Sequence, residues 1–288
     1  MIRFGLIGCG RFGRHYLTNI QKHSIGRVSL LCTRKRVEDL PVAALVPWTN
    51  DFQGVCLSDE VDCVIVATPP ESHYAICRAA LSAGKHVICE KPFVFEPHQA
   101  EELCSLAAQR NAILLVNYIH LWNSKLTAFF QSFQFSRQTQ AFLSFQSNSQ
   151  GPFRSDCPML WDWYSHDLAL LLHHVGGRMT HLRKSLFLNS FTSEAGVLSV
   201  EAEFEHGRAH SYINNLAAGK RRSISIATTE RAGLYEDDFS GDSLANLLRF
   251  FKVHFEARTR ISNGPLALEV TRHLRSISAP PGASQLQV

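Results

Sequence analysis

The sequence predicts an α/β protein of two domains. Residues 1–119 read as a parallel sheet interleaved with helices, and residues 120–288 as an α/β domain on a mostly antiparallel, open-faced sheet. Three observations predict this. Up to Tyr118, short and nearly continuous apolar runs alternate with helical stretches, the pattern of strands buried on both faces and joined by helical crossovers. After about residue 120 the strand-like runs alternate apolar with polar residues, as a sheet with one solvated face requires. The chain has 288 residues, 45% of them hydrophobic. That is enough for about two cored domains at roughly 100–200 residues each.

Arg3–Ile7 is a short apolar strand, Arg11–His23 fits a helix and Arg27–Cys32 is a second strand. Asp62–Ala67 is almost wholly apolar, and His73–Ala83 is an Ala/Leu-rich helix stopped by Gly84. His86–Glu90, Pro97–Arg110 and Ile113–Tyr118 continue as strand, helix and strand. Beyond them, Lys125–Phe133 is helical, Gln140–Ser147 strand-like and Met159–Val175 an amphipathic helix. Strand patterns recur at Leu182–Asn189, Val197–Phe204, Ala209–Asn215 and Ser223–Ala227. Asp242–Thr259 and Leu266–Ile277 read as helices, and residues 279–288 as a loose tail.

Composition excludes several classes. With 45% hydrophobic residues the chain is no disordered tail, and 29 basic against 25 acidic residues leave a net charge of +4. No apolar run approaches the roughly 18–20 residues of a membrane helix. The N-terminus turns Gly-rich and then basic at Arg11 instead of forming a signal-peptide core, so a cytoplasmic location is expected. Eight cysteines include no C-x-x-C pair, so buried free thiols are expected and no metal site. Phe129, Phe130, Phe133 and Phe135 read as core, because no basic patch interleaves them to stack nucleic-acid bases. Lys220-Arg221-Arg222 reads as a solvated basic turn, and His173-His174 as poor metal geometry at a helix end.

Gly8-Cys9-Gly10-Arg11-Phe12-Gly13 is G-x-G-x-x-G between a strand and a helix, the context that makes this pattern informative. Gly8 allows the tight turn, Gly10 the close approach of backbone to a pyrophosphate, and Gly13 close packing of helix on sheet. Arg11 and Phe12 open the helix, whose N-terminal amides form the anion site. The first domain is thus expected to be a Rossmann dinucleotide-binding domain. An acid about 20 positions further on binds the ribose 2′-hydroxyl in NAD users. Here that position is Thr33, followed by Arg34-Lys35-Arg36. A carboxylate would repel a 2′-phosphate, whereas a hydroxyl and a guanidinium bind it, so NADP(H) is favoured over NAD(H). Arg34 and Lys35 join Thr33 as expected cofactor contacts.

Ala67-Thr68-Pro69-Pro70-Glu71-Ser72-His73 and Ala83-Gly84-Lys85-His86-Val87-Ile88-Cys89-Glu90-Lys91-Pro92 are two strand ends at the carboxyl edge of the sheet, where open α/β folds bind ligands. On its own, Lys91 reads equally as a positioned cation or as a surface charge. With the Gly-rich turn, the two segments resemble the glucose–fructose oxidoreductase / myo-inositol dehydrogenase (Gfo/Idh/MocA) family in order and approximate spacing. With the later D-x-x-x-H segment and Pro265-Leu266-Ala267-Leu268-Glu269, the resemblance spans nearly the whole chain. It implies a nicotinamide cofactor, a Rossmann domain, and a C-terminal α/β domain whose open sheet builds homodimers or homotetramers. It also implies that Lys91 is the catalytic lysine. Cofactor-binding positions fall at Thr68, Pro69, Pro70, His73, Glu90 and Pro92, with the prolines and Glu90 lining the nicotinamide end.

Asp162 and His166 lie four apart, on one face of a continuous helix and away from the stripe Leu160, Tyr164, Leu168, Leu171, Val175. A carboxylate beside an imidazole fixes its tautomer and suits it to proton transfer near neutrality. Spacing alone favours a surface pair. The resemblance makes His166 the proton shuttle and Asp162 its partner. Tyr164 stands where relatives commonly carry glycine, and could narrow the pocket, bond to substrate or join the apolar stripe. Asn117, Tyr118 and His120 follow the last Rossmann strand, where substrate binding and hinge packing are both open readings. The expected activity is an NADP(H)-dependent dehydrogenase or reductase acting on a secondary alcohol or carbonyl of a sugar, cyclitol or nucleotide-sugar. The alternative is a non-catalytic dinucleotide-sensing regulator on the same fold.

Overall fold

The structure is a computed structural model that describes residues 1–37, 46–136, 139–151, 153–189, 192–239 and 241–278. The tail expected at 279–288 lies outside them. In chain order the first elements are β1 (Ile2–Ile7), α1 (Arg11–Lys22), β2 (Gly26–Cys32), β3 (Trp48–Thr49), α2 (Phe52–Leu57), β4 (Cys63–Val66), α3 (His73–Ser82), β5 (His86–Glu90), α4 (Pro97–Gln109) and β6 (Leu114–Asn117). There follow α5 (Ser124–Gln131), β7 (Ala141–Gln150), α6 (Ser165–Leu170), β8 (Met179–Asn189), β9 (Thr192–Phe204), β10 (Gly207–Asn214), β11 (Leu216–Thr228), β12 (Ala232–Glu236), α7 (Ser243–Glu256) and α8 (Gly264–Ser278).

The chain divides into two compact units: Met1–Trp122 with Asp242–Thr271, and Asn123–Gly241 with the residues from Arg272 on. In the first, six parallel strands lie in the order β3-β2-β1-β4-β5-β6, the Rossmann order with its reversal between β1 and β4. Phe4, Leu6, Ile65 and Ile88 face one side of this sheet and pack with Tyr16, Leu17 and Ile20 of α1. The sequence reading assigns 242–271 to the second domain, but Leu247, Leu248 and Phe251 of α7 complete this first core, with the Phe251 ring centroid 5.8 Å from that of Phe4. The apolar stripe of α7 is legible, but a stripe does not name the sheet it covers. Neither β3 nor α2 was expected. Two residues are too few for a periodicity, and α2 begins where the Asp51 side chain accepts hydrogen bonds from Gln53 N (2.9 Å) and Gly54 N (3.1 Å).

In the second unit six strands lie in the order β12-β11-β7-β10-β9-β8. Only β7 and β10 pair in parallel, so the sheet is mixed and mostly antiparallel. Ala141, Leu143 and Phe145 of β7 and Ala209 and Ile213 of β10 are buried, while Phe142, Gln146, Arg208 and Tyr212 between them are exposed. The expectation of a solvated turn at Lys220-Arg221-Arg222 is corrected here. All three lie in β11, and Arg222, paired in register with the buried Ser147, points inward and is 6% exposed.

Candidate active site

In the first unit the site begins at the end of β1. Gly8 N donates to Cys32 O (2.8 Å) and Ala67 N to Ile7 O (2.8 Å), which draws the ends of β1, β2 and β4 together. Gly8 has φ +94°, and a Cβ there would meet Ala67 O at 2.5 Å. At Gly13 a Cβ would meet Gly8 O at 2.1 Å, whereas at Gly10 it would meet nothing within 4 Å. Gly10 is the N-cap of α1, and its first turn holds neither a side-chain cap nor an acid. These residues fit a dinucleotide: the space before Gly10 is open, and uncapped amides face it. Arg11 and Phe12 are exposed at this helix start.

The basic segment after β2 is shaped by a residue the sequence did not flag. Trp48 Nε1 donates to Thr33 Oγ1 (2.7 Å), and Thr33 Oγ1 donates to Lys35 O (2.5 Å). The Thr33 hydroxyl, expected to bind the 2′-phosphate, therefore spends its one proton on the turn. Arg34, Lys35 and Arg36 are exposed there.

At the ends of β4 and β5, Thr68, Pro69 and Pro70 form the turn into α3, with Ser72 Oγ donating to Pro69 O (2.8 Å) and 2.7 Å from Thr68 Oγ1. The expected cofactor contact at His73 is corrected. Its ring is fully buried, with Nε2 2.9 Å from Thr68 O and Nδ1 2.9 Å from Pro92 O. It joins the two turns to each other and presents no surface to a ligand. Glu90, expected to line the nicotinamide end, is likewise turned inward. Its Oε1 accepts from Tyr16 Oη (2.9 Å) and Asn117 Nδ2 (2.7 Å), tying α1, β5 and β6. Burial raises the Glu90 carboxyl pKa against the opposing pull of those two donors and of Lys91. Lys91 follows it, half-buried, at the carboxyl edge of the sheet, and Pro92 is buried. Among the residues expected at the substrate, Asn117 and Tyr118 are 1% exposed and serve packing, while His120 is half-buried.

In the second unit the helix expected over Met159–Val175 is not continuous. A π-helical turn at Leu160–Tyr164 leads into α6, and a second π turn follows at Leu171–Val175. Such turns widen a helix by one residue and recur at functional sites. Asp162 lies on the first π turn and is 6% exposed, and His166 lies on α6, half-buried. Arg154, which no sequence pattern marked, reaches Asp162 Oδ1 with Nη1 (3.2 Å) and grips Asp156 with Nε (2.9 Å) and Nη2 (2.7 Å). The Asp162 carboxylate thus answers to a guanidinium. Tyr164 settles into the apolar stripe, fully buried, which corrects its expected place among the substrate contacts.

Comparison with known proteins bears on these arrangements. Residues 2–118 match the family model described as an oxidoreductase family with an NAD-binding Rossmann fold. An uncharacterized oxidoreductase of Streptococcus pneumoniae is 29% identical over 41% of this chain, a match spanning only 32% of that protein. The UDP-N-acetylglucosamine 3-dehydrogenase of Acidithiobacillus ferrooxidans is 26% identical over 96% of this chain and 89% of its own length. Its solved structure superposes with a TM-score of 0.84, at 20% identity and 96% coverage of each chain, which shows a shared fold. The dTDP-3,4-didehydro-2,6-dideoxy-alpha-D-glucose 3-reductase of Actinomadura kijaniata is 25% identical over 74% of this chain and 70% of that protein.

Proposed function

We propose that this chain, whose residues 2–118 match an oxidoreductase family with an NAD-binding Rossmann fold, is a Gfo/Idh/MocA-type, NADP(H)-dependent dehydrogenase or reductase of a secondary alcohol or carbonyl on a sugar, cyclitol or nucleotide-sugar. The observation that carries the reading is the open, uncapped start of α1 before Gly10, in the same unit as Lys91 at the carboxyl edge of β5. The two relatives named for nucleotide-sugar chemistry, matched over 96% and 74% of this chain, favour that substrate class.

A bound nicotinamide dinucleotide supplies the hydride acceptor or donor. Gly8, Gly10 and the first amides of α1 would hold its pyrophosphate, and the turn between Thr68 and Pro70 would lie toward its nicotinamide end. Lys91 holds the reacting oxygen and stabilises negative charge as it develops there. His166 takes the hydroxyl proton in oxidation and returns it in reduction, with Asp162 fixing the ring. Oxidation or reduction of the dinucleotide in a screen of sugars, cyclitols and nucleotide-sugars tests the reading. Tight dinucleotide binding with no turnover on any of them would favour the regulatory alternative.

For the cofactor, Arg34 is the exposed guanidinium beside the Trp48–Thr33 turn. A guanidinium–phosphate contact is charge-assisted, so Arg34→Ala is expected to weaken NADPH binding by about tenfold or more while leaving NADH binding near wild type. Equal NADPH and NADH affinities in the unaltered protein, by fluorescence titration, would overturn the preference.

The protein is also proposed to act in the cytoplasm as a homodimer or homotetramer. Among the described residues no helix is long and apolar enough to cross a membrane. On the second sheet, Phe142 and Leu234 expose 58% and 61% of their surface on one face, an apolar patch suited to a second copy. Sedimentation equilibrium is expected to return a multiple of 32.3 kDa, and a monomer at all concentrations would refute it.

A further inference from the structure

Beneath α6 lies a group of polar side chains that the chemistry above does not use. Asp167 is fully buried, and its Oδ1 accepts from Nη2 of the buried Arg222 of β11 at 2.5 Å. Arg222 Nη1 donates to Ser147 Oγ of β7 at 3.1 Å. Around this pair five polar atoms have no hydrogen-bond partner among the described residues: Asp167 Oδ2, Arg222 Nε, Ser165 Oγ, Ser211 Oγ and Tyr164 Oη. Burial raises the Asp167 carboxyl pKa against the opposing pull of Arg222 and of the nearby Ser211 hydroxyl, and burial together with the Asp167 charge raises the Tyr164 phenol pKa. Tyr164 thus belongs to this group.

Stability alone does not account for the arrangement. A buried ion pair is often no more stabilising than apolar residues of the same volume, and each unsatisfied buried polar atom adds a cost. What an ion pair adds to apolar packing is direction. α6 has six residues and is bounded by two π turns, too short to hold its own geometry. Leu168, Ala169 and Leu170 are buried and press it onto the core, but apolar contacts tolerate rotation and sliding. Asp167 follows His166 directly, and successive residues point about 100° apart around a helix, which is why one is buried and the other half-buried. Fixing Asp167 to β11 therefore fixes where His166 points.

We propose that Asp167 and Arg222 are positioning residues: their buried ion pair locks the rotation of α6 on the second sheet and thereby sets the orientation of the His166 imidazole. The role of His166 rests on the oxidoreductase reading; the orientation of its ring does not. The experiment therefore has two readouts on the full-length protein, the NMR titration of the His166 ring without cofactor and steady-state kinetics. Asp167→Asn and Arg222→Met alone should lower the melting temperature, because each strands a buried polar or charged partner. The double variant Asp167→Asn/Arg222→Met should recover most of that stability. It should nonetheless keep a displaced His166 titration and a kcat about tenfold or more below wild type, with KM changed by less than about threefold. Arg222→Lys, which keeps the charge but loses the fork, should lie between wild type and the double variant and serves if the single variants do not fold. A double variant with wild-type His166 titration and wild-type kcat would overturn the proposal. A displaced titration with no turnover in any form, wild type included, would support the positioning role and refute the enzymatic reading alone.

Discussion

Gly13→Ala is expected to destabilise the first unit severely, whereas Gly10→Ala is expected to fold normally and lose dinucleotide affinity. At position 13 a Cβ would stand 2.1 Å from Gly8 O and 2.9 Å from Gly8 C, both backbone atoms of the turn that α1 follows. Relief requires moving the end of β1 away from the start of α1. That in turn disturbs the hydrogen bonds Gly8 N–Cys32 O and Ala67 N–Ile7 O that hold three strand ends together. Overpacking a core costs about 1–3 kcal/mol where side chains can adjust, and here the clash is with backbone, so the upper end or beyond is expected. At position 10 an added methyl meets nothing within 4 Å, and the residue already has φ −72°, which alanine adopts freely. The methyl instead occupies the approach to the first amides of α1, and a loss of about tenfold or more in NADPH affinity is expected, near 1.4 kcal/mol. Thermal melting and NADPH titration of both variants separate the two effects. Wild-type affinity in Gly10→Ala would remove the pyrophosphate from this turn, and wild-type melting of Gly13→Ala would refute the packing argument.

The same glycines show what a sequence can disclose. The turn at Gly8–Gly13 is legible because all its determinants lie within six consecutive residues between a strand and a helix. Lys91 and the pair Asp162/His166 are legible as residues, but their surroundings are not. The donors on Glu90 are Tyr16 and Asn117, 74 and 27 positions away, and no local pattern joins them. Arg222 could be taken for part of a solvated turn because its partner Asp167 is 55 positions distant, and only the register of β11 on β7 turns its side chain inward. The π turns are hidden for a related reason. Leu160, Tyr164, Leu168, Leu171 and Val175 keep an α-helical spacing in the sequence, and all five are buried even though the helix changes form twice along them. Hydrophobic spacing thus found five buried residues, but not that Trp161, Asp162, Ser165 and Asp167 off the stripe are buried as well, nor the backbone geometry that carries Asp162 and His166.

Lys91→Met and His166→Ala are each expected to lower kcat by about 10²–10⁴-fold, with much smaller changes in KM and in dinucleotide affinity. Methionine keeps the length and apolar stem of the lysine and removes only its charge, so a loss confined to kcat would mean that the cation acts on charge present in the transition state and not in bound substrate. His166 is half-buried on α6 while its neighbours Ser165 and Asp167 are fully buried, so trimming it to alanine removes little packing and stability should hardly change. The pH dependence separates the two roles. In oxidation the imidazole must be neutral to take the proton, so kcat rises with pH through its titration; in reduction it must be charged, and kcat falls with pH. His166→Ala should flatten that limb in both directions, whereas Lys91→Met should lower the profile and keep the limb. If the two groups serve one chemical step, as proposed, the double variant should be little slower than the slower single variant. Fully multiplicative losses would instead mean that the two residues serve separate steps, and retention of the histidine limb in His166→Ala would assign the proton to another group.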